Sequence, residues 1–175
     1  MPRTQFYNRM RIEKTAIKDL VIISPSVYND ERGYFFEAYN QVDFLDNDIN
    51  YNFIQDNQSF SKRGVIRGLH LQVNPYAQAK LVRVLQGEIL DVAVDLRKGS
   101  PTYGQHFSVV LSDENKKQLM VPHGFAHGFS VLSATASVLY KVDQIYHKES
   151  ERGIRYDDPI GPAPLSLRKR VLFMI

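Results

Sequence analysis

Cysteine is absent from the 175-residue chain, which excludes a disulfide scaffold, thiolate metal sites and cysteine nucleophiles and suits a reducing compartment. No apolar run approaches the roughly 18 residues of a membrane span. The opening Met1-Pro2-Arg3-Thr4-Gln5 lacks the apolar core of a secretion signal. A cytoplasmic protein with no membrane association is the expectation. Internal repeats, low-complexity segments and linker-like stretches are also missing, so one domain over residues 1–175 is expected, with 43% hydrophobic content to build its core. Neither charge sign dominates. The net charge is +3 and the pI about 9.0, and part of the excess sits in Arg168-Lys169-Arg170. Nucleic-acid modules carry a denser basic stripe, so no nucleic-acid partner is expected and a phosphorylated small molecule fits better.

What the chain has instead is strand and turn. Arg11 to Ile17 and Asp19 to Ser24 read as strands, and a turn at Asn29-Asp30-Glu31-Arg32-Gly33 leads into Tyr34 to Tyr39, strand-like by its aromatics. Gln41 to Ile49 is the one stretch with helical spacing, Val42, Leu45 and Ile49 falling three and four apart. From Tyr51 onward, turn residues at Asn74-Pro75, Gly87, Gly99-Ser100-Pro101, Gly104, Ser112 to Asn115 and Pro122-His123-Gly124 cut the sequence into short strands. Glu88 to Leu96 is the clearest, with Leu90, Val92, Val94 and Leu96 on one face and Asp91, Ala93 and Asp95 on the other. His106 to Leu111, Gln118 to Val121 and Ser137 to Val142 continue the pattern. It predicts an all-β protein, an antiparallel jelly roll or small barrel with at most one or two short helices.

Two stretches break the apolar rule of buried strands. Gly64 to Gln72 (GVIRGLHLQ) and Gln78 to Val84 (QAKLVRV) carry an imidazole, guanidinium groups and an ammonium. Such groups cost free energy away from water unless engaged, so these strands are expected to line a cavity. By alternation His70 and Gln72 project with Ile66, and Arg67 projects the other way with Leu69 and Leu71. Arg67 joins His70 only if Gly68 marks a bulge. A lone strand histidine is more often structural, but the ordinary pKa of imidazole suits His70 to general-base work. Lys80 is either a rim residue or a buried cation awaiting an anion. Tyr140 shares a face with Val138 and Val142, as a core tyrosine would.

Pro122 to Phe129 reads as a turn holding His123 and His127 four apart. That spacing aligns metal ligands on a helix, and Gly124 and Gly128 argue against one. The positions two away from His70 are Gly68 and Gln72, so a His-x-His pair is missing too. Chemistry without metal or cofactor is expected.

Taken together, GVIRGLHLQ, AKLVRVLQGEILDVAVDLRKGSPTYGQ, PHGFAHGFSVLS and LYK resemble the dTDP-4-dehydrorhamnose 3,5-epimerase family, metal-independent jelly rolls of the cupin type, from about Asp30 to Pro159. The resemblance implies epimerisation of a dTDP-4-keto-6-deoxyhexose at C3 and C5. His70 matches the family's proton acceptor, Tyr140 the proton donor on the other face of the sugar, and Lys80 a lysine near the C4 oxygen. Asp91 and His127 match a second polar pair. Arg32, Glu37, Gln55, Asn57, Arg67 and Glu151 match positions that hold nucleotide or sugar, and Tyr146 the aromatic that stacks on thymine. A homodimer is also implied, its N-terminal strands paired across subunits and bringing groups such as Arg32 to the neighbouring site. The residue types suit the reaction: a 4-keto group acidifies the adjacent C–H bonds through an enolate, which calls for a base, an acid on the opposite face and a cation for the oxyanion.

Two departures stand out. Family members often carry Glu where this chain has His123. The tail Leu165-Ser166-Leu167-Arg168-Lys169 stands where the family has Leu-Ser-x-Lys-Asp. Arg168 then replaces a substrate-binding lysine, and Lys169 the carboxylate expected beside the catalytic histidine. A relative acting at one carbon, and a sugar-nucleotide binder with weak or no catalysis, are the alternative readings.

Overall fold

A computed structural model describes residues 10–155. In chain order these form β1 (Met10–Lys14), β2 (Val21–Pro25), β3 (Tyr28–Asp30), β4 (Gly33–Phe35), α1 (Gln41–Leu45), β5 (Gln55–Lys62), β6 (Ile66–Gln72), β7 (Lys80–Gln86), β8 (Glu88–Asp95), β9 (His106–Ser112), β10 (Gln118–Val121), β11 (Phe125–Val131), β12 (Thr135–Val142), a 3-10 turn at Lys148–Ser150, and β13 (Glu151–Gly153). A six-stranded sheet runs β1-β2-β10-β7-β12-β5, a five-stranded sheet β13-β6-β11-β8-β9, and β3 with β4 makes a separate hairpin. The pairings are antiparallel throughout. This is the jelly roll that the strand spacing predicts.

Period-two alternation sets the layers. On β8, Ile89 and Ala93 face the inside of the sandwich while Val92 and Val94 face out. The inward set meets Val82 and Val84 of β7, Leu119 and Val121 of β10, Val138 of β12, and Phe125 and Phe129 of β11 in a core between the two sheets. Outside the six-stranded sheet, Phe44 and Ile49 pack over Val21, Ile23, Leu81 and Met120. Among the described residues no helix is long and apolar enough to cross a membrane.

The differences from the sequence reading have local causes. β1 stops at Lys14 because the Thr15 hydroxyl turns the chain, accepting the Ile17 N–H and donating to the Leu20 carbonyl. Of Tyr34 to Tyr39, only Tyr34 and Phe35 fall in a strand, and Tyr39 leaves it to meet Phe44 and Phe53 edge-on. The helix is five residues long, started by Asn40, whose side chain accepts the Val42 N–H at 3.0 Å. Its buried residue is Phe44, whereas Val42 and Leu45, which the spacing placed inward, are exposed.

β11 is the largest correction. Of Pro122 to Phe129, read as a turn, only His123 and Gly124 make one; from Phe125 the chain is strand, and all seven residues of β11 are buried between β6 and β8. Gly128 is there for closeness: a Cβ would strike the Arg67 carbonyl oxygen. Opposite it the ladder slips. His127 pairs with His70 and Phe129 with Arg67, so Gly128 alone faces Gly68 and Leu69. This is the bulge on which the direction of Arg67 turns, and Gly68 takes it with φ +108.

Candidate active site

Polar residues interrupt the apolar interior at one end of the sandwich, where a cavity of about 340 Å³ opens between the two sheets. β5 contributes Gln55, Asn57 and Ser59 by alternation, β7 Lys80 and β12 Tyr140. From the opposite sheet come Arg67, His70 and Gln72 of β6, His127 and Phe129 of β11, and Glu151 of β13, while Tyr146 closes the rim. The bulge is what lets Arg67 and His70, three positions apart, both line the cavity. Ile66 does not join them.

His127 and Asp91 are bonded, His127 Nε2 to Asp91 Oδ1 at 2.7 Å, with both side chains almost wholly buried. Among the described residues the second Asp91 oxygen has no hydrogen-bond partner. Beside this pair Lys80 is buried, 3% exposed. Burial pulls its pKa down to about 8, against the attraction of Asp91 and Glu151. A lysine at that value remains mostly charged at neutrality. Its charge, together with burial and the nearby His127, pushes His70 down to about 3, so His70 is a neutral imidazole with a free lone pair. The Tyr140 hydroxyl is shifted the other way, upward by burial and only partly opposed by Arg67, so it stays protonated. An unprotonated base and a protonated acid thus come from facing sheets, with a cation between strands on the acid's side.

The residues that the resemblance assigns to nucleotide and sugar are held in place as well. Arg67 Nε donates to Ser61 Oγ at 2.9 Å, and Gln55 Nε2 to Asn57 Oδ1 at 2.8 Å. The Tyr146 hydroxyl donates to Glu151 Oε2 at 2.8 Å, which raises its pKa. Gln72 does more than alternation with His70 suggested. Its amide donates to the Tyr76 and Ile145 carbonyls and accepts the His147 N–H, pinning two rim loops to the cavity floor. Ser59, Gln72 and Gln78 line the cavity without having been singled out as site residues. Ser59 was legible from the Gln55, Asn57, Ser59 alternation, and its buried hydroxyl has no partner among the described residues.

Arg32 and Glu37 do not reach this cavity. Arg32 pairs with Asp30 at 2.6 Å on the exposed β3–β4 hairpin, and Glu37 lies in a shallow recess with Asn40 and Phe44. The hairpin leans on its own chain through Tyr34 under Lys116 and Phe36 under Arg83, and leaves Phe35 66% exposed. His123 is also elsewhere, bonded to Asp143. Arg168 and Lys169 lie outside the described residues. Among the described residues no group of three or more His, Asp or Glu side chains could hold a metal ion.

Known proteins share this arrangement. The family model for dTDP-4-dehydrorhamnose 3,5-epimerase matches residues 14–163. The dTDP-4-dehydrorhamnose 3,5-epimerase of Methanothermobacter thermautotrophicus is 53% identical over 149 residues, 85% of this chain and 80% of that one. Two crystal structures superpose closely. One is the dTDP-6-deoxy-D-glucose-3,5-epimerase of Legionella pneumophila in complex with dTDP-4-keto-L-rhamnose, with TM-score 0.88, 49% identity, and coverage of 93% of this chain and 88% of that one. The other is the dTDP-4-dehydrorhamnose 3,5-epimerase of Bacillus anthracis with TDP and PPi bound, with TM-score 0.91, 42% identity and coverage of 94% of each chain. With a matching fold, half of its residues shared with such relatives and a cavity that joins a neutral histidine, a protonated tyrosine and a buried lysine, this chain belongs to the dTDP-4-dehydrorhamnose 3,5-epimerase family.

Proposed function

We propose that this protein epimerises dTDP-4-keto-6-deoxyglucose at C3 and C5, giving dTDP-4-keto-rhamnose, without metal or cofactor. The observation that supports it best is the opposition of neutral His70 on β6 and protonated Tyr140 on β12 across one cavity. His70 takes the proton from the carbon beside the ketone, the electron pair moves into the enolate, and Lys80 stabilises the oxygen at C4. Tyr140 delivers a proton from the other side and the centre inverts. His127 with Asp91 forms the second polar pair behind the sugar. Arg67, Gln55, Asn57 and Glu151 hold the nucleotide and sugar, guanidinium suiting diphosphate, while Tyr146 offers its flat ring to thymine.

The working unit is a cytoplasmic homodimer. The support is the hairpin that carries Arg32 and Phe35 away from the cavity of its own chain, which leaves Arg32, Glu37 and that exposed ring to serve a second copy. The deciding experiment incubates the protein with dTDP-4-keto-6-deoxyglucose in heavy water and follows the C3 and C5 protons by NMR. Exchange at both carbons is expected. Exchange at one would make the protein a mono-epimerase, and binding without exchange would make it a sugar-nucleotide binder.

A further inference from the structure

Outside the cavity, His123 and Asp143 form a pair that this chemistry leaves unused. His123 Nε2 lies 2.7 Å from Asp143 Oδ2, and Asp143 Oδ1 accepts the backbone N–H of Ala79 at 2.8 Å. His123 follows the end of β10 and Asp143 the end of β12, the two strands that flank β7, and Ala79 is the residue immediately before β7. The pair therefore braces three adjacent strands at the point where β7 delivers Lys80. Lys80 itself is registered against Val121 and Val142, next to the brace on both sides. A parallel tie runs beside it, Gln78 Nε2 donating to the Gln144 carbonyl at 2.6 Å. The Asp143 side chain is only 11% exposed, and a carboxylate so enclosed holds its donors firmly. Among the described residues no hydrogen bond fixes the Lys80 ammonium, so the backbone at the start of β7 sets its place.

We propose that His123 and Asp143 are positioning residues for Lys80, acting through the Ala79 N–H to hold the ammonium where the oxyanion forms. What Lys80 does there rests on the epimerase reading; where it sits does not. Asp143→Ala removes the acceptor from Ala79 and releases the brace. Asp143→Asn keeps an amide oxygen for the Ala79 N–H and an NH₂ that can donate to a His123 ring nitrogen, so it serves as the rescue.

The test reads Lys80 directly. Lysine titrations are followed by NMR on lysine-labelled protein, with the Lys80 signal assigned from Lys80→Arg. Lys80 interacts with Asp91, Glu151 and His70 and shares the cavity with Arg67, His127, Tyr140 and Tyr146, all intact in the Asp143 variants. The Lys80 midpoint is expected near 8 in the native chain. In Asp143→Ala it moves up by about half a unit or more as water reaches the ammonium, and it returns in Asp143→Asn. Asp143→Ala also lowers kcat for C3 exchange about tenfold, while affinity for dTDP, which lacks the keto-hexose that would meet Lys80, stays within about twofold. An unmoved Lys80 midpoint, an unchanged kcat, or a parallel loss of dTDP affinity that marks general loosening would each overturn the proposal. A native chain that exchanges no protons overturns the epimerase reading instead, and the Lys80 midpoint still decides the brace.

Discussion

His70 stands directly opposite His127 in the β6–β11 ladder, yet among the described residues only His127 is held by a carboxylate, Asp91, at 2.7 Å. The two imidazoles have opposite surroundings. Among the described residues nothing hydrogen-bonds the His70 ring, and the charge of Lys80 resists its protonation. That keeps its lone pair available and also makes it a weak proton acceptor.

A carboxylate beside His70 would relieve this. By the family resemblance Lys169 stands where one is expected, and losing such a partner costs about 10⁴-fold in serine proteases. Lys169→Asp is expected to raise the single-turnover rate of C–H exchange about tenfold or more. A native chain already turning over at about 10 per second would overturn the idea.

Lys80 governs two pH effects. Its charge is the main cause that depresses His70, so Lys80→Met should bring the His70 NMR midpoint up from about 3 toward the ordinary 6.5. The second effect is on stability. Because folding lowers the Lys80 pKa from 10.5 to about 8, the unfolded chain binds more protons between those values, and stability rises with pH across that window. The ceiling of that rise is about 3 kcal/mol. Urea unfolding at pH 8 and pH 10 should show the rise in the native chain and its loss in Lys80→Met, which should also be inactive.

Tyr140→Phe removes only the hydroxyl assigned as acid. Epimer formation is expected to fall by about 10²–10⁴-fold, while some C–H exchange from the His70 side survives. Unaltered epimer formation would reduce Tyr140 to a wall of the cavity.

Gly128→Ala tests the bulge as architecture. The new methyl meets backbone on the facing strand, the Arg67 oxygen and the Gly68 Cα, which cannot swing aside as a side chain can. A loss of about 2 kcal/mol or more is expected in urea titration, with activity lost even where the variant folds, because Arg67 and His70 move with the backbone.

Chelation is the simplest check on the cofactor-free reading. Dialysis against a strong chelator should leave the exchange rate unchanged, and a loss restored by zinc or another divalent ion would count against it.

Much of this site was written in local pattern. The alternation on β8 put Asp91 on one face with Ala93, which the structure turns inward, and the charged residues of β6 and β7 announced a cavity. Less legible were features that depend on a neighbour. β11 looked like a turn because Gly124 and Gly128 resemble punctuation, whereas Gly128 serves a close crossing with β6 that only the paired strand reveals. The direction of Arg67 hung on the same crossing. The helix failed at its register: Phe44 is inward and Val42 is not, because one turn packs a single large side chain rather than a stripe. Gln72 shares the His70 face, but its grip on Tyr76, Ile145 and His147 spans up to 75 positions and leaves no trace in periodicity.

In the proposed homodimer, the outward hairpin would give defective chains a way to repair one another. A His70→Ala chain keeps a sound arm, and an Arg32→Ala chain keeps a sound cavity. When the two are unfolded together in equal amounts and refolded, about half of the dimers are hybrids, and each hybrid has one cavity with both its histidine and its visiting arginine. Two nearly dead parents should then yield about a quarter of native activity, and neither parent refolded alone should recover any.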